Sequence, residues 1–179
     1  MKKLFLPLIF IFSLIFTSCS DKIMGYSVVL WNIPEQHIKS GDIVPVYIKS
    51  NISHVYVIGT ESGEKIEVAL WQLTEPVKKG KVKSVAAKYS ENAATYASVK
   101  LDGLPCRAEP VNTAKQVYRL RKNEIIKILY KGKGQAPMAG KTALEGDWYR
   151  ILTEDGTLGW CFSYNLNLYE TDADGQRGS

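Results

Sequence analysis

"DWYRILTEDGTLGWCFSYNL", residues 147–166, decides the fold because the chain carries a second copy of it. "HVYVIGTESGEKIEVALWQL", residues 54–73, aligns beneath it without a gap. Tyr56 meets Tyr149, Ile58 meets Ile151, Thr60 meets Thr153, Glu61 meets Glu154, Gly63 meets Gly156 and Leu73 meets Leu166. Every pair keeps the offset that sets 54 against 147. In the later copy Trp148 to Leu152 alternates, Glu154 to Thr157 turns, and Leu158 to Cys161 returns. Asp-Gly between two such runs predicts a hairpin whose two central residues both take positive φ. Glu61-Ser62-Gly63-Glu64 reads as the same turn in the earlier copy.

A second echo lies upstream. "IKSGDIVPVYI", residues 38–48, matches "LRKNEIIKILY", residues 120–130, with Gly41-Asp42 opposite Asn123-Glu124. A weaker match sets Leu30 opposite Leu104. The later copy has a longer loop, "KGKGQAPMAGKTALEG", residues 131–146, between its paired segments. Short β-branched runs between turn signals predict two copies of a small β-barrel. Pro45 lacks an N–H for the ladder, so its strand is expected to be an edge at that point. Between the copies, "VKSVAAKYSENAATYASV", residues 82–99, places Val82, Val85, Tyr89, Ala93 and Tyr96 at helical spacing. It predicts an amphipathic helix that packs on the barrels. The fold class expected is mainly β, two small barrels joined by that short helix.

The N-terminus sets the compartment. Residues 1–18, MKKLFLPLIFIFSLIFTS, have a basic start and an apolar run from Leu4 to Phe16, the layout of an export signal. The step Phe16-Thr17-Ser18-Cys19 resembles a bacterial lipobox, which implies lipidation of Cys19. Phe16 stands where that pattern has an aliphatic residue. The formal net charge of +5 falls to +3 once Lys2 and Lys3 leave with the signal. No Lys/Arg run interleaved with aromatics marks a nucleic-acid track, so nucleic acid is not an expected partner. Cys106 and Cys161 remain, an even pair in an exported chain. They are either a disulfide or two buried thiols.

The later copy resembles a bacterial SH3-like domain. The opening is Leu104-Pro105-Cys106-Arg107-Ala108-Glu109-Pro110 and the middle is Leu120-Arg121-Lys122-Asn123-Glu124-Ile125-Ile126. The close is Trp148-Tyr149-Arg150-Ile151, then Gly159-Trp160-Cys161, then Tyr164-Asn165-Leu166. The earlier copy is similar by way of the repeat and lacks the Gly-Trp step, having Ile66-Glu67 there. The organisation read from this is a signal peptide over 1–18 and a lipidated tether over 19–24. A divergent SH3-like barrel covers 25–75, a linker with the helix 76–97, a bacterial SH3-like barrel 98–169, and a disordered tail 170–179. In the family pattern Cys106 and Cys161 both stand at inward apolar positions. A bridge between them is the favoured expectation, because a small exported barrel gains from a staple.

Other chemistry weighs little. "GQAPMAGKT", residues 134–142, ends like a phosphate-binding loop, but its glycines enclose five residues where the pattern needs four. His37, His54 and a lipidated Cys make no metal-ligand spacing, and no cofactor is expected. The candidate surface is aromatic: Tyr118, Tyr130, Trp148, Tyr149, Trp160, Phe162 and Tyr164. Strand alternation puts Trp148 and Arg150 on one face and Tyr149 and Ile151 on the other. The resemblance implies a non-enzymatic envelope lipoprotein, held to the membrane by its N-terminal lipid, that binds an envelope protein or a peptidoglycan peptide. The alternative is a structural component of an envelope complex. An exposed aromatic groove favours the first, and a broad apolar patch across both barrels and the helix favours the second.

Overall fold

The computed structural model describes residues 22–172. The leader 1–18, the lipidation candidate Cys19 and the tail beyond Asp172 lie outside the described residues. Within them no helix is long and apolar enough to cross a membrane.

In the first half, β1 (Gly25–Val28), β2 (Ile43–Ser50), β3 (Val55–Gly59) and β4 (Lys65–Ala69) form one antiparallel sheet in chain order. Alternation selects the inward residues. Val44, Val46, Tyr56, Ile58 and Val68 are buried together with Val29, Ile38 and Leu73. A 3-10 turn over Leu70–Gln72 carries the chain back to β1, where Leu73 bridges Val29 and Val77 bridges Tyr26. Pro45 pairs with Tyr26, and the ladder to β3 begins only at Val46. The strand is therefore unpaired on its β3 side where the N–H is missing.

The second half adds β5 (Thr95–Val99), β6 (Leu104–Arg107), β7 (Gln116–Leu120), β8 (Ile125–Gly132), β9 (Met138–Ala139), β10 (Thr142–Ala143), β11 (Trp148–Thr153), β12 (Leu158–Phe162) and β13 (Leu166–Glu170). Seven of these form a sheet in the order β13-β5-β8-β11-β12-β6-β7, and β9 pairs with β10 apart from it. The path β5-β8-β11-β12, a 3-10 turn over Ser163–Asn165, and return to β5 through β13 repeats the first half. The molecule is mainly β, as expected. The sheets, however, are open ladders rather than closed barrels. In each half the 3-10 turn takes the chain round the corner without pairing the strand before it to the strand after it.

The repeat extends to single hydrogen bonds. Thr60 N donates to Glu64 O as Thr153 N donates to Thr157 O, and only Gly63 and Gly156 in these turns take positive φ. The turn is thus longer than the two-residue form expected from Asp155-Gly156, and the strain is confined to the glycine. Gly41 and Asn123 are both left-handed, and each donates its N–H, to Val29 O and Val99 O respectively. The following carboxylate then accepts the N–H three residues back, Asp42 from Lys39 and Glu124 from Arg121.

Two expectations are corrected. The helix α1 (Lys79–Ala87) ends well before residue 99, and Thr95 to Val99 is strand β5. Ser90 Oγ donates to Ala87 O and starts a 3-10 turn, Ser90–Asn92, that redirects the chain. Tyr96 stands opposite Lys127 as Tyr26 stands opposite Pro45, so β5 is the counterpart of β1. Leu104 consequently does not match Leu30; it opens the additional hairpin β6–β7. At the other end Thr171 N donates to Ala94 O, and residues 173–179 of the expected tail lie outside the described residues.

The two halves dock through a cluster of Leu30, Leu129 and Leu152, with Trp31, Trp71, Tyr89 and Tyr130 packed on it. Trp31 meets Trp71 and Tyr96 edge-on, at 5.6 and 5.4 Å between centroids. Leu129 reaches this cluster because it is the extra residue of a bulge in β8: Tyr130 pairs with Arg150, but Ile128 pairs with Ile151. Below the junction, Lys127 is 1% exposed. Its Nζ donates to Asn92 O (2.6 Å), Thr95 O (2.9 Å) and Ile128 O (2.6 Å), which fastens the turn before β5 onto β8.

Candidate functional site

The seven aromatics named from sequence go to three different places. Trp148, Phe162 and Tyr164 form a groove on the second half. It lies between Leu104, Pro105 and Arg107 of β6, Asn112 of the loop after it, Pro137 and Leu144 of the long loop, and Asn165 of the 3-10 turn, with a volume of about 180 Å³. Trp148 and Phe162 are its buried floor, edge-on at 5.4 Å. Trp148 Nε1 donates to Gln135 O at 2.9 Å, which holds the long loop against the floor. Gly134 is required beside it, since a Cβ there would collide with Pro110 O and the Trp148 ring. Tyr164 stands on the rim, 50% exposed. Arg107 donates to Ala114 O and Asn112 Oδ1, bracing the wall loop and bringing one positive charge to the groove.

Trp160 and Tyr130 belong to the outer sheet face and the junction. Trp160 lies flat where Gly132 has no side chain, meets Tyr130 edge-on at 5.8 Å, and receives the Arg150 guanidinium at 5.8 Å. Tyr130 also takes the Lys88 ammonium at 4.3 Å from its centroid. Tyr149 and Tyr118 pack against the core of the second half. Burial raises the Tyr149 phenol pKa, and the Glu124 carboxylate raises that of Tyr118. The face assignment expected for Trp148 to Ile151 agrees with this packing: Tyr149 and Ile151 go to the core, and Trp148 goes to the groove.

Cys106 and Cys161 are both in that core and are free thiols, not the bridge that was expected. Gly159 explains how they fit, because any Cβ there would collide with Cys106 Sγ. Burial pushes both thiols up to about 12, so neither is a ready nucleophile. The Gly-Lys-Thr segment is the tip of the β9–β10 hairpin, with Gly140 left-handed and Thr142 in a strand, and no helix follows to hold a phosphate. Among the described residues no group of three or more His, Cys, Asp or Glu sits together as a metal site. The described residues that line the groove include no carboxylate, histidine or cysteine. An apolar floor, an aromatic rim and one cation are features that suit ligand binding. Leu104, Pro105, Arg107, Pro137 and Leu144 were not legible as site residues. Two of them sit in the long loop, and only folding brings it to Trp148.

The first half has no equivalent groove. The repeat offset places Val55 where the second half has Trp148, Ala69 where it has Phe162, and Trp71 where it has Tyr164. Trp71 is covered by the other half, because the Gly156 turn lies against it so closely that a Cβ would stand 2.7 Å from its ring. Gly156→Ala adds this collision to left-handed strain, at a cost of about 2 kcal/mol. In residual dipolar couplings the two halves of that variant are expected to need separate alignment tensors, where the wild type needs one. A single shared tensor in the variant would show that the Trp71 contact does not hold the junction.

Residues 24–91 match the family described as TP0260 family, N-terminal SH3 domain, and residues 102–167 match the family described as Bacterial SH3 domain. An uncharacterized protein of Treponema pallidum (strain Nichols) is 44% identical over 159 residues, a match that covers 89% of this chain and 35% of that protein's length. The chain carries two SH3 modules in tandem.

Proposed function

We propose that this pair of SH3 modules is the binding part of a non-enzymatic envelope lipoprotein, anchored through Cys19, whose second module takes an extended peptide of an envelope protein or of the cell wall. The observation that carries this reading is the groove, in which a half-exposed Tyr164 stands over a floor of Trp148 and Phe162. Tyr in that position offers flat apolar area with a polar tip. The first module serves as a platform, since its corresponding aromatic, Trp71, is occupied by the junction. Anchoring and export rest on Phe16-Thr17-Ser18-Cys19 and the apolar leader. The apolar surface that spans both modules is buried inside the chain, so it does not favour a broad assembly interface.

The test is retention of the full chain by purified peptidoglycan and by solubilised envelope proteins, with Tyr164→Ala alongside. Binding is expected to fall about tenfold or more, with an unchanged melting temperature. Trp148→Ala is a poor substitute, because removing a buried indole costs about 3–5 kcal/mol of stability and mixes folding with binding. Equal retention of wild type and Tyr164→Ala would remove the groove from the function.

A further inference from the structure

We propose that the end of the first module from which the N-terminal tether leaves is a bilayer-docking surface. Ile23, Met24, Ile48 and Ile52 would enter the boundary between headgroups and acyl chains, and Lys78 and Lys79 would meet anionic headgroups. The inference rests on the reading of Cys19 as a lipidated anchor.

Topology gathers these residues at one end. Met24 N donates to Val46 O at 2.7 Å, and β2 continues past Ile48 into the turn that holds Ile52. Ile52 is 94% exposed at the turn's tip, with Met24 at 51% and Ile48 at 55%. Four large apolar side chains left in water at one end of a small module need a partner. Tyr26 and Val77 exchange both backbone hydrogen bonds, which sets the next residues, Lys78 and Lys79, beside the same end. Lys79 Nζ lies 5.8 Å from the Tyr26 ring centroid. Between Glu75 and Glu91 every charged residue is a lysine. The Glu75 carboxylate accepts from Lys49 Nζ at 2.8 Å, so it offsets that lysine and leaves the others as net positive charge.

Chain length supplies the occupant. Cys19 is five residues from Met24, which is fixed in the sheet, so the two lie within about 18 Å even if the tether is fully extended. An acyl group on Cys19 therefore keeps this end within about 18 Å of the bilayer. Apolar tips and flanking lysines then act on a surface already within reach, as in anchors that combine a lipid with basic residues.

The experiment uses the full chain recovered from bacterial membranes and placed in phosphatidylcholine–phosphatidylglycerol vesicles. Ile52→Cys and Glu61→Cys, at opposite ends of β3, each carry an environment-sensitive fluorophore. Buried Cys106 and Cys161 do not compete for the label. The expected result is a blue-shifted probe at 52, several-fold protected from iodide and quenched by spin-labelled lipid, with the probe at 61 as exposed as in water. Adding Met24→Asp and Ile48→Asp is expected to return the probe at 52 to water. Aqueous emission from both probes, with mass spectrometry showing the lipid on Cys19, overturns the docking surface and leaves the anchor standing. An unmodified Cys19 overturns the anchor and this proposal together. Protection that appears only as protein density on the vesicle rises assigns the face to a second copy and overturns it too.

Discussion

Replacing Lys127 with methionine is expected to lower the unfolding free energy by about 3 kcal/mol, measured by denaturant titration near pH 8. The side chain is of similar length and apolar, so the variant keeps the volume and removes the donors. Near pH 8 the neutral amine shares its two N–H groups among three carbonyls, those of Asn92, Thr95 and Ile128, and the substitution takes that shared partner from all of them. The effect is pH-dependent with a fixed sign. Burial pushes the Lys127 pKa down from 10.5 to about 7. Between those values the unfolded chain binds a proton that the folded chain does not. Wild-type stability therefore gains from this group as pH rises from about 7 toward 10.5, and the gain is absent below 7. Lys127→Met has no such group, so the difference between the two proteins is expected to widen across that window. A difference that stays flat from pH 6 to 10, or one below about 1 kcal/mol throughout, would falsify the role given to this lysine.

The second large effect lies in the core of the second module. Gly159→Ala is expected to cost about 2–3 kcal/mol, because the new methyl group occupies the space of Cys106 Sγ. Cys106→Ala by itself costs about 1–2 kcal/mol through the void it leaves at a fully buried position. Combined, the two changes exchange one buried atom for another of similar size. The remaining neighbours of the added Cβ are Val117 Cγ2 at 3.0 Å and Arg107 O at 3.2 Å, which need only a slight shift. The double variant is expected to be more stable than Gly159→Ala alone, a coupling of about 2 kcal/mol in a double-mutant cycle. Strict additivity would mean that the glycine is there for its backbone rather than for the thiol. The cycle also bears on the cysteines, since a Cys106 bridged to Cys161 would make Cys106→Ala far more costly than a methyl-sized void.

What the sequence by itself determined are the features that depend on local backbone demands. Gly63 and Gly156, and Gly41 and Asn123, must be left-handed for their turns to close, and such residues keep their spacing in both copies. The alternating runs between them settle which residues are strands and, from Trp148 to Ile151, which face each side chain takes. Periodicity alone predicts too long a helix, because Ala93 and Tyr96 satisfy helical spacing by coincidence while lying just before or in β5. Their true period shows only when β8 and β13 pair on either side.

The tertiary structure alone decided which aromatics stay exposed. The β8 bulge sends Leu129 to the junction, where it clusters with Leu30 and Leu152, and Trp31, Trp71, Tyr89 and Tyr130 pack on them. No pattern within a single module reveals what packs there, so Trp71 and Tyr164 are equivalent in sequence position, yet Trp71 is partly buried against the Gly156 turn and Tyr164 is exposed. Lys127 follows the same logic. Its place in an apolar strand does not mark it as buried, and it is buried because carbonyls some thirty residues upstream fold over it. Turns and alternation are properties of neighbours in the chain. Burial on the outer face of a sheet is a property of whatever docks there, and here the chain docks on itself.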